Sequence, residues 1–139
     1  MNSTISGKEP EKPKFRIDFT LDFTDGMPIY RQIIRQVEYA ILSGRLKSGD
    51  QLPTIRALAV ELKANPNTIA KAYGELEIRG ILVTQPGSGT FISDRKPSSA
   101  DESPDQKIRE LLGRFIRDMR GLGVEKRELT RLITAYREE

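Results

Sequence analysis

Residues 65–73, Asn65-Pro66-Asn67-Thr68-Ile69-Ala70-Lys71-Ala72-Tyr73, decide how the chain reads. The run opens a helix. Asn65 is a favoured N-cap, because its side-chain oxygen can accept a backbone N–H that the first turn leaves free. Pro66 follows at the first helical position, where its missing N–H costs nothing and its fixed φ suits the helix. Ile69, Ala72, Tyr73 and Leu76 recur at spacings of three and four and form a buried stripe. Asn67, Thr68 and Lys71 fall outside that stripe. A helix that buries one face and offers polar groups around its N-terminal end has the form of a recognition helix for the DNA major groove. An ordinary capped surface helix shares these local features, so the flanking chain has to decide.

Upstream, Thr54 is placed to cap a short helix with apolar positions at Ile55, Leu58, Ala59 and Leu62. Lys63-Ala64-Asn65 breaks it from the reading helix over the length of a helix-turn-helix turn. Further upstream, residues 28–43 carry Ile29, Ile33, Val37, Ala40 and Ile41 at helical spacing, and Gly44 is placed to stop them. Downstream, Gly80 can end the reading helix. Ile81-Leu82-Val83-Thr84 reads as a strand, Gln85-Pro86-Gly87-Ser88 as a turn and Gly89-Thr90-Phe91-Ile92 as a returning strand. Three helices and a β-hairpin predict a winged helix-turn-helix, mainly α with a small β part.

The same residues carry a resemblance. Pro28-Ile29-Tyr30-Arg31-Gln32-Ile33, Gly44-Arg45-Leu46, the run from Gly49 to Arg56, Leu58-Ala59, Asn65-Pro66-Asn67-Thr68-Ile69, Ala72-Tyr73, Leu76, Gly80 and Gly87-Ser88-Gly89-Thr90-Phe91 resemble the DNA-binding domain of GntR-family bacterial transcription regulators. The Asn-Pro-Asn-Thr variant with a short tail after the wing is similar to the YtrA-type subfamily. The likeness spans residues 15–93 and, loosely, the tail. It implies a sequence-specific regulator of transcription, a repressor, that binds a pseudo-palindromic operator of double-stranded DNA as a homodimer. It also implies DNA contacts from Arg56 and from the wing tip, where Gln85, Gly87 and Ser88 stand. One departure bears on specificity. Many family members have a guanine-reading Arg where this chain has Pro66, so Asn67, Thr68 and Lys71, or Arg56, must supply that readout. With the N-cap Asn65, these residues form the expected DNA-binding set. A winged helix serving protein–protein contact without specific DNA binding is the alternative; it has no need of a polar helix N-terminus carrying Lys71.

Other features have plainer readings. Gly87-Ser88-Gly89 lacks the strand-to-helix context and following Lys of a phosphate-binding loop. Tyr73 belongs to the core stripe. Arg31 and Arg35, four apart, suit either phosphate contact or a solvated face, and Glu75, Glu77 and Arg79 are expected to stay solvated.

Composition bounds the function. The chain has 139 residues, which suits one domain and an appendage. It holds no His and no Cys, which excludes a His-based general acid, thiolate chemistry and disulfides. No cofactor is expected, nor a metal or catalytic site. The net charge is +3, and residues 28–95 hold the excess, with 9 Lys and Arg against 6 Asp and Glu. A local basic face is therefore expected rather than a polycationic surface. The sequence offers neither a membrane-spanning apolar run nor a hydrophobic signal region at its start, so a cytoplasmic location is expected.

Four segments follow. Residues 1–14 are polar and read as disordered. Residues 15–93 form the winged helix-turn-helix, beginning with an apolar–polar alternation over 15–23 that has the period of a strand. Residues 94–103 are a linker. Residues 104–139 form a helical tail opened by Ser103-Pro104-Asp105-Gln106, a capping-box arrangement. Its apolar face holds Ile108, Leu111, Leu112, Phe115, Ile116, Met119 and Leu122, and a second short helix adds Leu129, Leu132, Ile133 and Tyr136. Two helices of this length cannot build a core alone, since chains below about 40 residues need a staple or a partner. The tail is thus expected to dimerise, with docking on its own domain as the alternative. It is too short to enclose an effector pocket of about 300 Å³ by itself, and the sequence leaves any small-molecule effector undefined.

Overall fold

Ile33, Val37 and Ala40 lie on one face of a 14-residue helix and are fully buried. That helix, α1 (Ile29–Leu42), is the floor of the domain. It belongs to a computed structural model that describes residues 17–94 and 103–137. The expected disorder of residues 1–14, the start of the 15–23 alternation and most of the 94–103 linker lie outside the described residues. The chain divides into two compact units, Met1–Ser99 and Ala100–Glu139.

In the first unit the order is α1, β1 (Gln51–Leu52), α2 (Ile55–Leu62), α3 (Pro66–Ile78), β2 (Leu82–Gln85) and β3 (Gly89–Ile92). α3 packs on both α1 and α2. Its stripe Ile69, Ala72, Tyr73 and Leu76 meets Leu58 and Ala59 of α2 in one core that also takes in Ile33, Val37 and Leu46. Thr54 caps α2 by accepting the Ala57 N–H at 3.1 Å. Lys63 ends it in the left-handed region at φ 52, which lets the Ala64 N–H reach back to the Ala59 carbonyl at 3.0 Å.

The hairpin gains a third strand. β3 lies in the middle of the sheet, antiparallel to β2 on one side and to β1 on the other, with Gln51 opposite Phe91 and Leu52 opposite Thr90. The pairing continues past β1, where the Ile92 N–H donates to the Asp50 carbonyl at 2.8 Å and the Gly49 N–H to the Ile92 carbonyl at 2.9 Å. The wing is thus fastened to the chain entering α2.

Over its described residues, 17–23, the alternation gives no strand. Residues 17–22 form no backbone–backbone hydrogen bond among the described residues and lie along α1 instead. Gln36 offers its side-chain amide to Thr20, accepting the Thr20 N–H at 2.9 Å and donating to its carbonyl at 2.7 Å. Gln32 treats Asp22 the same way, at 2.9 and 2.7 Å, and also donates to the Met27 carbonyl. The match is geometric. Two extended residues advance about 6.6 Å, and one i to i+4 step along a helix advances about 6 Å. The alternation itself reports half-burial: Ile17 is buried, and Phe19 and Leu21 pack against the core.

In the second unit, α4 (Pro104–Gly121) is capped by Ser103, whose hydroxyl accepts the Gln106 N–H at 3.2 Å. Gly123, at φ 84, turns the chain into α5 (Lys126–Ala135), which starts at Glu125 without a side-chain cap. Among the described residues only Leu129 is buried here; no residue of α4 is. No helix among the described residues is long and apolar enough to cross a membrane.

Candidate nucleic-acid interface

The N-terminal end of α3 is built from its cap. Asn65 accepts the Asn67 N–H at 2.9 Å, which commits its oxygen to the helix and leaves its amide N–H groups outward. Asn65, Pro66 and Asn67 are exposed, and Thr68 is half-buried beside the buried Ile69. Tyr73 anchors the helix from below. Its ring is buried, its hydroxyl donates to the Pro53 carbonyl at 2.7 Å, and burial pushes its pKa well above the ordinary phenol value. Pro53 immediately precedes the cap of α2, so one hydrogen bond fixes the start of α2 against the second turn of α3. Arg56, in the first turn of α2, is exposed, and its side chain makes no hydrogen bond or ion pair among the described residues.

The wing tip is a tight turn. The Ser88 N–H donates to the Gln85 carbonyl at 2.9 Å, with Pro86 second and Gly87 third at φ 77. Pro then a positive-φ Gly is the pairing a type II turn requires. Gln85, Gly87 and Ser88 are all exposed. Gln51 braces them: its side-chain amide donates to the Ser88 carbonyl at 3.3 Å. Residues 51–53 therefore hold both the wing tip, through Gln51, and α3, through Pro53.

Lys71 sits differently from its neighbours. Its ammonium lies 4.0 Å from the centre of the Tyr30 ring on α1. Arg31 attends the same ring, with its guanidinium carbon at 5.9 Å and its Nε donating to the Tyr30 hydroxyl at 3.1 Å. Arg35 turns away to Asp25, 3.7 Å distant. The charges at the far end of α3 are tied down rather than merely solvated. Arg79 pairs with Glu38 of α1 at 2.7 Å and with Glu75 at 3.5 Å, and Glu77 accepts from the Thr84 hydroxyl of β2. Sequence reading gave Tyr30 and Gln51 no role. Lys71 and Ser88, the partners that give them these roles, lie far along the chain, and no local periodicity marks them.

In the tail, Ile108, Leu112 and Phe115 are exposed, Leu111, Ile116, Met119 and Leu132 are half-buried, and Tyr136 is 73% exposed at the end of α5.

Three helices with a capped, outward-facing N-terminus on the third, followed by a braced β-wing, define a winged helix-turn-helix of the DNA-binding class. Comparison with known proteins agrees. Residues 29–92 match the family model described as bacterial regulatory proteins, gntR family. An uncharacterized HTH-type transcriptional regulator of Bacillus subtilis, YhcF, is 40% identical over 116 residues, covering 84% of this chain and 95% of its own. The HTH-type transcriptional repressor YtrA of the same organism is 43% identical over 109 residues, covering 78% and 84%. Among solved structures, a GntR family transcriptional regulator from Listeria monocytogenes superposes with a TM-score of 0.61 at 32% identity, over 83% of this chain and all of that one. The chain belongs to the GntR family and is a DNA-binding transcription regulator.

Proposed function

We propose that the protein is a cytoplasmic repressor that binds a pseudo-palindromic operator as a homodimer, with one α3 in each half-site. The observation that carries this reading is the exposed polar end of α3, held rigidly from beneath by Tyr73 and beside the braced wing. Asn67 and Thr68 read base edges, since an Asn amide can meet adenine with two hydrogen bonds and a Thr can meet several bases. Asn65 and Arg56 flank them. The backbone at Gly87 and the side chains of Gln85 and Ser88 approach the adjoining groove or its phosphates. The absence of an Arg at Pro66 favours sites whose readout leans on Asn67. Repression follows the function named for the similar YtrA. An enzymatic role has nothing in its favour, and small-molecule effectors are left open.

The dimer rests on the tail. Ile108 at 53%, Leu112 at 52% and Phe115 at 40% exposure form an apolar face on a helix with no buried residue. A second copy covers it most economically, because symmetric dimers match symmetric half-sites.

Selection of bound sequences from a random duplex pool tests the reading. Two inverted half-sites about one helical turn apart, centre to centre, are expected. Asn67→Ala should then weaken binding to the selected site by roughly 1–3 kcal/mol and leave random duplex nearly untouched. Equal losses on both would remove Asn67 from the base-reading set. Enrichment of no sequence would leave the protein-contact module as the better account.

A further inference from the structure

We propose that Tyr30, Arg31 and Lys71 form a prearranged site for one backbone phosphate of DNA, and that Tyr30 is the positioning residue that holds Lys71 in it. The proposal rests on the reading of α3 as the DNA-facing helix. It changes the part played by Lys71, from a reader of bases to a sequence-independent contact.

Two cations from different helices gather on one aromatic ring. The Lys71 ammonium is 4.0 Å from the ring centre, and the Arg31 guanidinium carbon is 5.9 Å from it. Both distances lie within the reach of a cation–π attraction. Arg31 also spends its Nε on the Tyr30 hydroxyl, and its two terminal nitrogens make no hydrogen bond among the described residues. Both side chains are exposed, and among the described residues neither forms an ion pair with a carboxylate. The nearest acidic group along α3, Glu75, pairs with Arg79 at 3.5 Å and attracts Arg31 only from beyond ion-pair distance. Two cations on one ring, with the one nearby carboxylate shared with Arg79, leave a local excess of positive charge that suits an anionic ligand. The ring is the attraction that keeps them together.

The geometry selects phosphate over base. Lys71 leans toward the first turn of α1, where its ammonium lies over the Tyr30 ring. An ammonium is a compact point charge with three rotatable donors. One face of it rests on the ring, and the donors that remain can meet phosphate oxygens without regard to sequence. A free Lys must also lose its side-chain freedom on binding. Tyr30 has removed part of that loss beforehand, which is how preorganisation raises affinity.

Titrating the full-length protein onto its selected operator and onto random duplex over a range of salt tests the site. Lys71→Ala and Arg31→Ala should each weaken both DNAs by a similar factor and lower the slope of log K against log salt by about one unit. Tyr30→Leu keeps both charges, so its slope should stay as in the wild type while affinity for both DNAs falls about 2- to 5-fold, the scale of an exposed cation–π contact. Tyr30→Phe keeps the ring under Lys71 and should recover most of that loss. Thermal melts of each variant separate these effects from unfolding, and Tyr30→Phe serves if Tyr30→Leu unfolds. A Lys71→Ala loss confined to the operator would make Lys71 a base reader and overturn the site. Unchanged or higher affinity in Tyr30→Leu, or no recovery in Tyr30→Phe, would overturn the positioning role. Failure of the wild type to bind any duplex would instead refute the reading of α3 on which the site rests.

Discussion

Tyr73 shows how one residue serves both core and interface. Its ring fills the α3 stripe, and its hydroxyl satisfies the Pro53 carbonyl at 2.7 Å. The stripe position is legible in the sequence, because helical periodicity is local. The hydroxyl's partner is not, because Pro53 lies 20 residues away. Tyr73→Phe should cost about 1 kcal/mol in urea unfolding near neutral pH, the usual net value of such a bond, while the fold persists. Its pH dependence has a definite sign. Burial raises the phenol's pKa in the folded protein above the ordinary value of 10.0. The unfolded chain therefore loses this proton first as pH rises. The stability that Tyr73 supplies is complete below the unfolded value and is lost as pH climbs through the folded one. The stability gap between wild type and Tyr73→Phe should hold steady up to about pH 9 and narrow as pH rises from about 10 to about 11. A gap that stays constant would mean the phenol titrates as an exposed one.

Among the elements, the wing separates what local sequence can show from what it cannot. Its two long strands and their Pro-Gly turn are plain in the sequence, since turn chemistry is confined to four residues. The third strand, Gln51–Leu52, has two residues and no period to detect. It exists because the chain leaving α1 must pass the free edge of β3 to reach α2. The two wing glycines differ in what surrounds them. A Cβ at Gly89 would stand 2.6 Å from the Gln51 side-chain nitrogen, whereas one at Gly87 would meet nothing within 4 Å. Gly87→Val therefore strains only the backbone, which at φ 77 resists a Cβ by about 1–2 kcal/mol. The helices should keep their circular dichroism and melting cooperativity, while operator affinity falls because the tip no longer holds its turn. Wild-type affinity in this variant would show that the wing stays clear of DNA. The segment before α1 teaches the complementary lesson. Its apolar alternation is readable, but the same pattern fits a strand or a strap, and only Gln32 and Gln36 on the folded helix decide for the strap.

At the scale of the whole molecule, the proposed dimer can be tested without removing any segment. Leu112→Glu combined with Phe115→Glu puts two charges into the exposed face of α4, where burial against a partner would leave them unpaired. The double variant should sediment as a monomer at micromolar concentration, keep the melting transition of the winged unit and lose most of its affinity for a two-half-site operator. A dimer that survives both substitutions would place the interface elsewhere.

The sequence alone determined the helices with their caps, the apolar stripes and the turn glycines. These follow from contacts among residues no more than about four apart, which the order of residues states outright. Tertiary structure decided the rest. It set Gln32 and Gln36 against residues 20 and 22, added Gln51–Leu52 to the wing, tied Arg79 to Glu38 and brought Lys71 over Tyr30. Each of these joins side chains or backbone groups that only the packing of α1, α3 and the sheet into one core brings within reach. The polar end of the reading helix could therefore be found from its own residues, while the support beneath and beside it could be found only in the folded chain.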